Sequence, residues 1–268
     1  MTSKTRHILG ISGGKDSAAL AIYLKDKVPD MEYFFCDTQK ELPETYDFLV
    51  KLEGFLQKPI ARLNPKQGFD HWLKVFNGYL PSSRMRWCTR QLKLKPLEAW
   101  AGEDDVVSYV AIRADEDREG YVSTKPNIRP VFPFKENGVV KEDVFRILEE
   151  SGVGLPDYYK WRTRSGCYFC FFQRTIEWVG LREFHPDLFE IAKQYEKEGP
   201  VGEQGYYWNS DFKLRDLEDP KRVLEIRKHH EAAMEREKSS RRATRLIEVL
   251  ENAIEEEGNG KGCLVCTL

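Results

Sequence analysis

Apolar and polar positions in the first part of the chain fall into blocks that read as strand, helix, strand, helix, strand. The run His7-Ile8-Leu9 leads through a glycine-rich turn into Ala18-Ala19-Leu20-Ala21-Ile22-Tyr23-Leu24, a strongly helical composition. Tyr33-Phe34-Phe35-Cys36 is a compact aromatic strand ending in Asp37-Thr38. Pro43 then opens a helix to about Gln57, and Pro59-Ile60-Ala61-Arg62-Leu63 is the next strand. Such alternation predicts an α/β fold, a parallel sheet with helices on both faces and the ligand at the carboxyl ends of the strands. A further strand is predicted over Val106 to Ile112. From about Thr175 the spacing of Leu181, Phe184, Leu188, Phe189, Ala192 and Tyr195 predicts an amphipathic helix, broken by the Gly199 to Gly205 stretch. The domains expected are a nucleotide-binding domain over 1–175, a helical extension over 176–257 and a cysteine-containing tail over 258–268.

Composition narrows this little. The chain has 268 residues, 41% hydrophobic and 32% charged, with a formal charge of −2, so partners must be sought in local patches. No apolar run reaches the length of a membrane span and the polar start is not a secretory signal, so no membrane partner is expected. Six cysteines, four of them in two C-x-x-C pairs, point to metal or redox chemistry in a reducing compartment, and the expected location is cytoplasmic.

The chemistry starts at Ser12-Gly13-Gly14-Lys15-Asp16-Ser17, between the first strand and the first helix. Adjacent glycines let successive N–H groups converge on an anion, the helix start adds its own N–H groups, and Lys15 supplies a point charge for a phosphate. The common nucleotide loop would need glycine at Leu9 and a magnesium-binding Ser or Thr at Asp16. The six residues resemble instead the S-G-G-x-D-S loop of the ATP pyrophosphatases, the PP-loop family, which split ATP between its α- and β-phosphates. Asp37-Thr38 through Pro43-Glu44-Thr45-Tyr46 narrows the resemblance to the phosphoadenosine phosphosulfate (PAPS) reductase branch. Arg86-Trp87-Cys88-Thr89-Arg90-Gln91-Leu92-Lys93, Pro130 to Phe134, Asp143-Val144 and Arg164-Ser165-Gly166-Cys167 follow in order, so the likeness covers roughly residues 6 to 175. That branch includes sulfonucleotide reductases and the ATP pyrophosphatase subunits of DNA phosphorothioation systems, and it implies a Rossmann-like, adenine nucleotide alpha-hydrolase-like sheet.

The resemblance implies ATP and Mg2+ as ligands. Ser12, Gly13, Gly14, Lys15 and Ser17 would hold the pyrophosphate, Asp37 and Thr38 would lie beside the nucleotide, and Lys15, Asp16, Ser17 and Arg113 would carry catalysis. Arg113 follows a strand's carboxyl end, where a guanidinium fork suits paired oxygens. Arg118 can pair with Asp115 or Glu116. Arg84, Arg86, Arg90, Lys93 and Lys95 crowd a segment with no acid, which reads as a surface for substrate phosphate.

Cys167-Tyr168-Phe169-Cys170 has three readings: a dithiol, half of a zinc site, or part of an iron–sulfur cluster. The resemblance favours the cluster, with Cys88 as a third ligand. Cys263 and Cys266, near the end of the chain, are expected to act as a sulfur relay. Tyr206-Tyr207-Trp208 reads as core more readily than as a platform for stacking bases. The function expected is adenylylation of an acceptor, best matched by a DNA backbone phosphate, followed by sulfur insertion with a cysteine desulfurase as donor partner. A sulfonucleotide reductase and a non-catalytic nucleotide-sensing subunit are the alternatives.

Overall fold

The computed structural model describes residues 5–118, 125–199 and 205–240. Two compact units are present. Among the described residues, one comprises those up to 74 together with 86–167, and the other comprises 75–85 with those from 168 to 240.

The first unit is built on a five-stranded sheet of β1 (Arg6–Gly10), β2 (Met31–Cys36), β3 (Ile60–Leu63), β4 (Val106–Tyr109) and β5 (Ile128–Val131). The spatial order is β3-β2-β1-β4-β5 and every pairing is parallel. A parallel sheet is buried on both faces, and successive side chains serve opposite faces. In β2, Tyr33 and Phe35 join Leu9 in a core with Leu20 and Ala21 of α1 (Lys15–Leu24) and Leu49 and Leu52 of α2 (Pro43–Leu56). Phe34 points the other way, 5.4 Å from the ring of Trp100. That ring belongs to a helical run in which α4 (Trp87–Thr89) passes through a π-helical turn (Arg90–Leu94) into α5 (Lys95–Ala101). On the first face α7 (Lys141–Glu150) adds Val144 and Leu148 to the core. The short helices α3 (Phe69–Val75) and α6 (Pro133–Glu136) complete the order up to there.

The strand order reverses between β1 and β4, so the loops leaving these two neighbours diverge and open a crevice at their carboxyl ends. The fourth strand is shorter than its apolar run. Val110 N–H still reaches the Val131 carbonyl at 3.0 Å, but Ile112 N–H turns back to the Val110 carbonyl at 3.0 Å. That turn ends the ladder and swings Arg113 towards the loop after β1.

In the second unit the expected single amphipathic helix is two, α8 (Thr175–Phe184) and α9 (Pro186–Gln194). Pro186 cannot continue the preceding helix and opens the next. The phase therefore slips, and Phe184 is left exposed while Leu181, Phe189 and Ala192 are buried. The chain ends its described course in α10 (Pro220–Ser240), and no helix among the described residues is long and apolar enough to cross a membrane.

Candidate functional site

The loop after β1 is held in a shape that only glycine tolerates. Gly13 has φ of +74°, in the left-handed region, and a Cβ there would lie 2.5 Å from Thr45 Cγ2 of α2. A Cβ on Gly14 would lie 2.7 Å from Ser165 Oγ. Ser17 is buried and braces the turn from within. Its hydroxyl accepts from Ser12 N–H at 3.1 Å and donates to the Gly14 carbonyl at 3.2 Å. Ser12 Oγ lies 3.1 Å from Ser17 Oγ and 3.2 Å from Ser165 Oγ.

Two tyrosines from a single 3-10 turn (Asp157–Lys160) fasten this loop from outside. The buried Tyr158 hydroxyl donates to the Gly13 carbonyl at 2.7 Å, and the Tyr159 hydroxyl accepts from Lys15 N–H at 3.1 Å. Burial pushes both phenols above their ordinary range, so both stay protonated. Sequence reasoning did not find these residues, because they lie more than 140 positions from the loop they hold. Ser165 did carry a signal, standing in the matched Arg164-Ser165-Gly166-Cys167 segment.

The charged centre is a carboxylate shared by two cations. Asp16 Oδ2 is 2.7 Å from Lys15 Nζ, and Asp16 Oδ1 is 2.7 Å from Arg113 Nη1. Arg113 also meets Asp115 at 2.9 Å and Glu116 at 2.6 Å, and Arg118 pairs with Glu116. Burial alone would raise the Asp16 pKa, but the charges of Lys15 and Arg113 reverse that and hold it below the ordinary carboxylate range. Desolvation alone would lower the Arg113 pKa, yet the carboxylates of Asp115, Asp16 and Glu116 carry it above its usual value. The crevice thus gathers Lys15 and Arg113 beside the backbone turn of Gly13 and Gly14, with Asp16 setting the spacing of the two positive charges.

Beyond the second strand, Asp37 Oδ1 accepts from Gln39 N–H and from Tyr46 Oη, both at 2.8 Å. This is the turn-capping geometry of an aspartate at a strand end. Thr38 is buried, donates to Glu41 Oε1 at 2.9 Å and lies 3.1 Å from Cys167 Sγ. Cys167 Sγ is 3.7 Å from the same Glu41 oxygen. Burial raises the Glu41 carboxyl pKa, with the charge of Lys93 working against it, and Glu41 Oε2 has no hydrogen-bond partner among the described residues. Burial and the Glu41 charge also push the Cys167 thiol well above its ordinary range.

The basic segment divides. Lys93, in the π-helical turn, faces inward to the Cys36, Glu41 and Cys167 cluster. Arg86 is half-buried, Arg90 and Lys95 are exposed, and Arg84 stands exposed in the second unit.

Among the described residues, no group of three or more His, Cys, Asp or Glu side chains is placed to hold a metal ion. Cys88 lies close enough to Cys167 in the first unit to help raise its thiol pKa, and Cys170 belongs to the second unit. No step below is routed through an iron–sulfur cluster. Cys263 and Cys266 lie outside the described residues.

An uncharacterized protein of Methanocaldococcus jannaschii is 29% identical over 214 residues, covering 73% of this chain and 43% of that protein. An uncharacterized 37.8 kDa protein of Escherichia phage 186 is 25% identical over 284 residues, covering 82% of each. The tRNA-specific 2-thiouridylase MnmA of Pediococcus pentosaceus is 24% identical over 192 residues, covering 58% of this chain and 50% of the enzyme. The chain spans less than half the length of the Methanocaldococcus relatives. The family described as the phosphoadenosine phosphosulfate reductase domain matches residues 6–168, which takes in the glycine loop, Asp37, Arg113 and Ser165. The chain belongs to this PAPS reductase family, with a nucleotide loop of the ATP pyrophosphatase type.

Proposed function

We propose that the protein cleaves ATP between the α- and β-phosphates and passes the AMP to an acceptor oxygen, after which sulfur attacks the activated acceptor centre and AMP leaves with that oxygen. The observation that carries this reading is the joining of the Gly13-Gly14 turn to the Lys15–Asp16–Arg113 triad at the carboxyl ends of β1 and β4. The turn and the start of α1 present N–H groups to the leaving pyrophosphate. Lys15 neutralises charge on those oxygens as the bond breaks, while Arg113 lies where a fork of donors can hold the α-phosphate or the acceptor. Magnesium, when bound with the nucleotide, adds charge neutralisation on the phosphates. Asp16 keeps the two cations from repelling each other and fixes their direction, which makes it a positioning residue.

The acceptor favoured by the sequence resemblance is a DNA backbone phosphate, with a cysteine desulfurase as the source of sulfur. The test is product identity with ATP labelled at the α-phosphate. AMP and pyrophosphate are expected, and Lys15→Ala should lower the rate by about 100-fold or more, the loss typical of removing one transition-state donor. Release of ADP and phosphate would refute the assignment. Sulfite release from a sulfonucleotide, measured on the same preparation, would move the protein to the reductase side of its family.

A further inference from the structure

The second unit contains a cavity of about 500 Å3 that the ATP chemistry does not use. Its walls include the rings of Tyr79, Phe171, Phe172, Tyr206 and Tyr207, interleaved with the amide of Gln173. We infer that this cavity receives an unpaired nucleobase of a single-stranded nucleic acid.

Two features select that ligand, the first being a ring-lined cavity of suitable size. The size suits a planar ring with its sugar, since pockets for small organic groups run from about 300 to 1,000 Å3. The rings are positioned for stacking. Tyr79 and Tyr206 are both more than one-third exposed and meet edge to face at 5.1 Å, while Phe171 and Phe172 lie 4.3 Å apart. Tyr206 is held there by backbone, because it and Lys197 exchange hydrogen bonds of 2.8 and 3.0 Å. Trp208, by contrast, belongs to the core: it is 5% exposed, stacks on Phe169 at 4.8 Å and donates to the Ala192 carbonyl at 2.8 Å. All three residues of the aromatic triplet line the cavity, Trp208 as a buried part of its wall and the tyrosines more exposed.

The second feature is positive charge at the edge, offset by one acidic residue, Asp211, in the lining. Arg174, ion-paired with Glu177 at 3.4 Å, lines the cavity. The turn closed by Ser82 N–H to the Met85 carbonyl at 3.1 Å carries Arg84 exposed at its tip, next to the lining Ser83. Lys213 Nζ, outside the lining, sits 4.9 Å from the Tyr207 ring centre and 3.3 Å from Glu198 Oε1. Stacking rings with cations at the rim are the means by which proteins hold single strands without reading much sequence.

This deepens the proposed function only in its choice of a nucleic acid as acceptor and does not depend on ATP cleavage. Binding is therefore measured without nucleotide, so that it stands or falls apart from the ATP assay. The probe is a fluorescein-labelled oligothymidylate read by anisotropy, alone, annealed to oligoadenylate, and in competition with thymidine monophosphate. The single strand is expected to bind more tightly than the duplex, with the mononucleotide competing only weakly. Tyr206→Ala should weaken binding roughly ten-fold or more and Tyr206→Phe should restore it, since stacking needs the ring and not the hydroxyl. Tyr206 is exposed, and unchanged circular dichroism will show that both variants are folded. Absence of single-strand binding, equal affinity for the duplex, or a Tyr206→Ala protein that binds like the wild type would each overturn the inference. A mononucleotide that competes as well as the strand would reassign the cavity to free nucleotides.

Discussion

Gly13→Ala puts the loop geometry to a quantitative test. At φ of +74° an L-residue is strained, at a cost of about 1–2 kcal/mol. The added Cβ would stand 2.5 Å from Thr45 Cγ2, against an ordinary carbon contact of about 3.5 Å or more, so the loop or α2 must give by about 1 Å. Thr45 is fully buried, and overpacking of such a site costs about 1–3 kcal/mol. Reduced freedom of the unfolded chain returns about 0.4–1 kcal/mol, leaving a net loss of about 1–4 kcal/mol. Thr45→Ser removes the methyl group in question and should cost about 1 kcal/mol alone. Combined with Gly13→Ala, it should relieve the overpacking but not the backbone strain, so a double-mutant cycle in urea should return a coupling of about 1–3 kcal/mol favouring the pair. A 1 Å displacement of the phosphate-facing amides should also reduce ATP cleavage about 100-fold, with partial recovery in the double variant. A Gly13→Ala protein with wild-type stability and wild-type cleavage would refute the reasoning. A cycle with no coupling would refute the Thr45 contact alone.

Two further outcomes follow from the groups around this loop. Tyr158→Phe removes the donor to the buried Gly13 carbonyl and should cost about 1–3 kcal/mol in urea denaturation; a loss under about 0.5 kcal/mol would show that the hydroxyl does not anchor the turn. The Glu41 carboxyl is held above its ordinary value of 4.5, so between that value and its folded pKa the native state binds more protons than the unfolded chain. Stability contributed at this site is then fully present below 4.5 and is lost as pH rises through the folded value. Glu41→Gln should abolish that decline, so its melting temperature should gain on the wild type as pH is raised; parallel curves would refute the assignment.

The order of elements was legible in the sequence because its signals are local. Apolar blocks of strand length, proline at the start of α2 and two adjacent glycines before a helical run report on neighbours a few positions away. That alternation also dictated a parallel sheet and placed Ser12 to Ser17 and Arg113 at its carboxyl edge. The end of β4 was not legible, because Ile112 is as good a strand residue as Val107. What stops the ladder is a turn of Ile112 N–H back to Val110, and the next residue, Arg113, pairs with Asp16, 97 residues away. The same limit applies to Tyr158 on the Gly13 carbonyl and to Glu41 between Thr38 and Cys167. It applies equally to Tyr206, Tyr207 and Trp208, which line one cavity although Trp208 is also buried in the core. A sequence states which side chains could form such pairs; only the closing of the chain in space decides which of them meet. The chemistry of the loop was therefore written in six consecutive residues, while the contacts that hold it in shape belong to the tertiary fold.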